Sequence, residues 1–386
     1  MKTRGIIIAL LVILIVGCKE EFLLKFDTDE KILVVEGDIT NFEGPYSVRL
    51  STTLPVNQPL RVPLENCTVT ISDNTGQHEV LSETEPGVYE TLKGGIQGIV
   101  GNEYSLSVVT PEGKRYETDF EKMEEPVEID SVFAELTYKE SLDYPFGLPG
   151  YQFYVNTKPG EKEDNYFLWK LTESFQYDAD YRLYALYYYG DLFYISSDKD
   201  QVEDIVKLDY DTLFTCWQTE TVKDIFTGQT ANLSSPQINR QPLHFVATDT
   251  KKLSVRYSLL VQQYAISKKT YQFWKSIREQ IADESFLNTK QPYNIAGNLR
   301  NVEEPEEITY GFFTVASIAE ERVFYYRPNA TFYFETGYTA EPIDLHKKQQ
   351  PVYLILKDNA MYFVHKDCVD CRTEEGEPQK PNFWID

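Results

Sequence analysis

The sequence predicts a mainly β protein: an N-terminal immunoglobulin-like or transthyretin-like sandwich, then a larger β-rich region carrying one long amphipathic helix. Three observations lead there. Between residues 31 and 125, short alternating apolar segments recur between turn residues, the pattern of half-buried strands. Beyond residue 125 the chain stays strand-like and becomes dense in tyrosine, a residue enriched in strands. One stretch, about 259–281, instead places its apolar residues at helical spacing.

The chain begins with a segment belonging to neither region. Lys2 and Arg4 precede an apolar run of eleven residues, Ile6 to Val16. That is too short to span a bilayer, which takes about 20 residues, and it suits the core of a secretory signal. Ile15-Val16-Gly17-Cys18 reads as a lipobox, with small or apolar residues leading into a cysteine whose thiol can carry diacylglycerol. Residues 1–17 are therefore expected to be a lipoprotein signal peptide, Cys18 the lipidated new N-terminus, and residues 18–30 a tether. Lys19-Glu20-Glu21 resembles the signal that carries lipoproteins of Bacteroidota to the cell surface. The expected location is the outer membrane, lipid-anchored and facing the exterior.

Residues 31–125 form the expected sandwich. Ile32 to Gly37, Tyr46 to Leu50, Thr68 to Ser72, Gly87 to Tyr89 and Tyr104 to Val109 alternate as strands, with turns at Asp73-Asn74-Thr75-Gly76 and Pro111-Glu112-Gly113-Lys114. A connector rich in glutamate, residues 121–131, leads into the second region, 126–386. There Tyr166 to Leu171 reads as a strand, and Tyr181 to Tyr194 contains Tyr187-Tyr188-Tyr189. Those rings suit either a core or a recognition surface, so they are candidate ligand contacts. In the expected helix, Leu260, Tyr264, Tyr271, Trp274, Ile277 and Ile281 recur on one face without Pro or Gly. The simplest reading packs that face on a sheet; Tyr271, Phe273 and Trp274 are the alternative, a ligand groove. Strand patterns resume at Gly311 to Ser317, Val323 to Arg327 and Ala330 to Phe334, and a loop-rich tail closes the chain.

Charge and cysteine count narrow the chemistry. The chain carries a formal −24, which repels phosphate backbones that are bound through Lys and Arg, so nucleic acid is not an expected partner. With 42 % hydrophobic and 14 % aromatic residues, it is equipped for packed cores. Besides Cys18 there are Cys67, Cys216, Cys368 and Cys371, and four cysteines allow three complete pairings. Outside the cytoplasm a disulfide among Cys216, Cys368 and Cys371 is the expected outcome, and one from Cys216 to the tail would pin the C-terminus. Cys368-x-x-Cys371 with His365 also has zinc-ligand spacing, but no second such pair exists. No metal and no cofactor are expected. Neither a His-Glu-x-x-His helix, a Gly-x-Ser-x-Gly elbow nor a P-loop is present. Asp178-Ala179-Asp180 and Asp198-Lys199-Asp200 lack the glycine and distal glutamate of a calcium loop.

The chain resembles a surface-lipoprotein family of Bacteroidota, domain-of-unknown-function family 4249. The resemblance runs through Leu33-Val34-Val35-Glu36-Gly37, Val48-Arg49-Leu50, Ile129-Asp130-Ser131-Val132, Cys216-Trp217 and Tyr271-Gln272-Phe273-Trp274. It continues through Gly297-Asn298-Leu299-Arg300-Asn301 and Gly311-Phe312-Phe313, and closes with Cys368-Val369-Asp370-Cys371 and Pro381-Asn382-Phe383-Trp384. The sequence departs from it at Cys67, where the family usually has a small residue, which implies a buried free thiol there. The resemblance further implies an accessory or capture role beside a TonB-dependent outer-membrane receptor. The expected function is therefore non-catalytic binding in an uptake system. The alternatives are an extracellular hydrolase of glycans or peptides and a structural or adhesive surface protein.

Overall fold

The computed structural model describes residues 31–53, 61–197, 199–206, 213–284, 295–330, 334, 340–342 and 351–385. Cys18 and Lys19-Glu20-Glu21 lie outside these residues, as does Asp198. The protein is mainly β, with several sheets.

A ten-stranded sheet forms the spine. Its order runs Thr215–Thr221, Tyr166–Asp178, Arg256–Ile266, Tyr310–Tyr326, Leu33–Thr40, Ser47–Thr52, Val88–Glu90 and Ser82–Glu85, with two short strands attached at its sides. The Leu33–Thr40 strand pairs parallel with Tyr310–Tyr326, from Val34 opposite Tyr310 to Thr40 opposite Ala316. On its other side it pairs antiparallel with Ser47–Thr52. The spine therefore crosses the position near residue 125 where composition changes, and strands from both sides of that position share one sheet.

The two largest cores among the described residues form because both ends of the spine are faced by smaller sheets. A six-stranded sheet built around Thr68–Asp73 and Glu103–Val109 faces the N-terminal strands. Alternation explains this contact: Val69 and Ile71 from one sheet meet Val35, Ile39, Val48 and Leu50 from the other, as the period of two along a strand requires. Leu299 and Phe313, far along the chain, enter the same core. A three-stranded sheet, Ile129–Lys139, Leu148–Thr157 and Gln241–Ala247, covers the other end. Phe153 and Val155 there pack on Phe167, Trp169, Phe175 and Tyr257.

The expected helix over 259–281 is corrected. Arg256–Ile266 is a strand of the spine, and the helix spans Lys268–Glu284. That strand lies between Tyr166–Asp178 and Tyr310–Tyr326 and is buried along almost its whole length. A strand covered on both faces reads as a near-continuous apolar run, and Leu260 and Tyr264 happen to fall four residues apart within it. The switch between the two elements is local. The Ser267 hydroxyl accepts a hydrogen bond from the Thr270 backbone amide (3.1 Å), in the manner of an N-cap. Glu121 accepts one from the Thr270 hydroxyl.

The two strand patterns near 311–327 are likewise one strand, Tyr310–Tyr326. A five-stranded sheet that includes Ala185–Tyr188, Asp191–Tyr194, Val352–Lys357 and Ala360–Val364 completes the molecule. No described helix is long and apolar enough to cross a membrane.

Candidate functional site

The Lys268–Glu284 helix lies over the face of the spine opposite the N-terminal core, and beside it a groove of about 850 Å³ stays open. Alternation determines what its floor contains. Leu33, Val35 and Ile39 point into the N-terminal core, so Val34, Glu36 and Asp38 of the same strand line the groove. Ser47 and Arg49 come from the next strand, and Phe312 and Thr314 from the parallel neighbour. The helix supplies one wall through Phe273, Trp274, Ile277 and Gln280. Phe273 packs against Phe312 with ring centroids 4.5 Å apart and the rings tilted by 34°, which anchors that wall to the floor.

One glycine makes the floor possible. Gly311 has φ +81°, and a Cβ there would sit 1.9 Å from the Val35 carbonyl oxygen. Only glycine takes that backbone at low cost, so the parallel strands can close together beneath the groove.

The charges in the groove are mostly paired. Lys170 donates to Asp38 at 2.6 Å and lies 4.4 Å from the Tyr264 ring centroid. Burial would lower the Lys170 pKa, but Asp38, with a smaller contribution from Tyr264, more than offsets it, and the net shift is upward. Arg61 pairs with Glu36. Arg49 is exposed; its backbone pairs with Glu36 and Val88 in the sheet, but no hydrogen bond or ion pair to its guanidinium occurs among the described residues. In the wall, the Trp274 indole N–H is buried without a hydrogen-bond partner.

The sequence-predicted candidates separate in space. Trp274 and Phe273 line the groove, whereas Tyr271 is buried beneath the helix with Leu168, Tyr264 and Ile318. Tyr187, Tyr188 and Tyr189 are elsewhere, at the end of the Ala185–Tyr194 hairpin. Tyr187 packs on Val352 and Leu354, while Tyr189 is 79 % exposed at the turn and meets the Tyr188 ring edge-on at 4.4 Å. The trio is thus neither wholly core nor a flat tyrosine surface, and none of it reaches the groove.

Cys216 and Cys371 form a disulfide between positions 155 residues apart. The tail continues as a clasp on the spine's edge: Trp217 and Glu377 exchange two backbone hydrogen bonds of 2.8 Å, and Trp384 packs edge-on against Phe324. Cys368 is a buried free thiol in a separate small core with Ile355 and Val364, and burial pushes its pKa up to about 11. Cys67 is free but only half-buried, which corrects the expectation of a buried thiol: it stands just before the Thr68–Asp73 strand, and Val69 is the first residue there to turn inward.

Other titratable clusters are closed. Glu173, 3 % exposed, receives hydrogen bonds from Lys252 (2.5 Å) and the Tyr257 hydroxyl (2.8 Å), with His244 at 3.5 Å. Burial pushes its pKa up, and hydrogen bonds from His244 and Lys252 more than reverse this, leaving a net depression. Asp178 accepts a hydrogen bond from the Thr215 hydroxyl. No group of three or more His, Cys, Asp and Glu suited to a metal occurs among the described residues.

The floor's Glu36, Asp38 and Arg49 belong to no catalytic or binding motif in the sequence, although Glu36 and Arg49 fall in segments that carry the family resemblance. The signal was present in the alternation of Val34-Glu36-Asp38 against Val35-Gly37-Ile39, but it needed the parallel pairing to acquire meaning.

The family described as domain of unknown function (DUF4249) matches residues 19–322. The chain belongs to that family. Every groove residue falls within the DUF4249 match, whereas Cys371 and the clasping tail lie beyond it. No curated protein and no solved structure matches the chain.

Proposed function

We propose that this DUF4249 protein is a surface-exposed outer-membrane lipoprotein, anchored through Cys18, which captures a ligand as a non-catalytic accessory of a TonB-dependent uptake system. The observation that carries this reading is the groove: an aromatic wall over a charged floor, of the size of sites that hold small molecules, about 300–1,000 Å³. Its N-terminal part is then an immunoglobulin-like or transthyretin-like sandwich of residues 31–125. The larger region, 126–386, adds the helix that walls the groove. Export and anchoring rest on the lipobox and on Lys19-Glu20-Glu21, and the receptor on the family resemblance.

The test is co-purification from native membranes. Wild-type chain extracted in mild detergent is expected to bring down an outer-membrane receptor, and Cys18→Ala to leave the protein unlipidated and the complex absent. A wild-type chain that is unlipidated, or that purifies alone, refutes the anchoring or the partnership respectively.

One observation favours a hydrolase as the second reading. Glu36 and Asp38 are same-face neighbours on one strand, about 7 Å apart along it, inside the groove. A glycosidase pair, however, needs one carboxyl held as an acid, and each of these is tied to a cation. Turnover of an oligosaccharide or peptide panel by the wild type, abolished in Glu36→Gln/Asp38→Asn, would replace the capture reading.

A further inference from the structure

We infer that the groove selects an amphipathic organic monoanion, with Arg49 taking its carboxylate or sulfonate group and the Phe273–Trp274–Ile277 wall taking its apolar body. This rests on the groove being the binding site.

The charge inventory carries it. Five charged side chains line the groove. Glu36 is matched by Arg61 and Asp38 by Lys170, so the two carboxylates are satisfied by two of the three cations. Arg49 remains, directly across the strand pair from Glu36 and on the same face as Ser47. Its guanidinium fork matches a carboxylate or sulfonate in geometry as well as charge. In a chain of formal charge −24, a pocket with a surplus cation is a local exception to the surrounding field.

The wall sets the rest of the ligand. Phe273, Trp274 and Ile277 stand on one side of the helix and Val34 and Phe312 on the floor, a surface that gains from covering apolar area. A polyanion would meet repulsion from the acidic exterior. A neutral glycan would leave Arg49 unused, and a cation would have no unmatched carboxylate to meet.

Two probes with matched aromatic bodies test this: 8-anilinonaphthalene-1-sulfonate, an anion, and N-phenyl-1-naphthylamine, its neutral counterpart. Each is titrated by fluorescence into the folded full-length chain and three variants, with thermal melts confirming the fold. Arg49→Gln is expected to weaken the anion about tenfold while leaving the neutral probe within about twofold. Trp274→Leu is expected to weaken both. Arg115→Gln, on the facing six-stranded sheet, removes the same charge elsewhere and is expected to change neither. If Trp274→Leu weakens both probes but Arg49→Gln does not discriminate between them, the anion assignment falls and the groove stands. If Trp274→Leu affects neither, the groove itself is not the binding site and both readings fall.

Discussion

Glu173 and Glu121 are carboxylates whose environments push them in opposite directions. For Glu173 the hydrogen bonds from His244 and Lys252 win over burial, and its pKa is depressed. For Glu121 burial wins over hydrogen bonds from Thr270 and Ser267, and its pKa is raised. The signs of their contributions to stability follow from linkage. Glu173 stabilises the fold above its unfolded value, about 4.3, and that contribution disappears as pH falls through its lower folded value. Glu121 does the reverse: its contribution is largest below about 4.3 and is lost as pH rises through its higher folded value. Glu173→Ala should cost about 3 kcal/mol near neutrality, because it leaves Lys252 partly buried without its main partner, and urea unfolding measures it. Glu121→Gln should flatten the pH dependence from the other side, raising stability at pH 7 relative to pH 4, as parallel melts at the two values would show. Neither residue was legible as special among 61 acids, because what distinguishes them is burial and partners brought from distant strands. The cysteines were more legible: their number and the spacing of the last two implied a tail linkage, yet only packing separates Cys371, in the large core, from Cys368 in a small one.

Among the elements, the short alternating strands of the N-terminal part could be read almost as they stand. Thr68–Asp73 and Glu103–Val109 each bury every second residue, and each borders solvent on one face. Alternation disappears where strands are covered on both faces. Arg256–Ile266 carries no alternation because both faces are buried, and an i, i+4 coincidence then imitated a helix. Parallel pairing was equally invisible, since it joins segments with no turn between them. Gly311 is the element-level residue on which that pairing turns. Gly311→Ala should destabilise the fold by at least about 2 kcal/mol through the left-handed backbone and the contact with Val35. A lowered urea midpoint, together with weakened probe binding in the groove it underlies, is the expected result; an unchanged midpoint would mean the two strands can separate there freely.

At the scale of the whole molecule, the disulfide and the tail act on the spine's far edge, away from the groove. In the chain-entropy account a cross-link over more than a hundred residues stabilises by about 4–5 kcal/mol. Cys216→Ser/Cys371→Ser should therefore unfold at markedly lower urea and expose residues 372–385 to protease, while probe affinity at the groove in the folded protein stays unchanged. Loss of affinity in the folded double variant would show instead that edge and groove are coupled.

The parallel junction also has a mechanical side. The Leu33–Thr40 strand is the first described element after the N-terminal segment, and it is clamped between Ser47–Thr52 and Tyr310–Tyr326 in the interior of the spine. A pull entering at residue 31 along that strand shears the registers on both sides together, instead of peeling pairs one at a time. Pulling single molecules from this end should therefore rupture the sheet at higher force than pulling from the C-terminal end, where the tail detaches first. Under the proposed lipid anchor at residue 18 and the proposed capture in the groove, drag on the body and occupancy of the groove would converge on the same eight residues, so the strand that presents Glu36 and Asp38 would also be the one that bears the load.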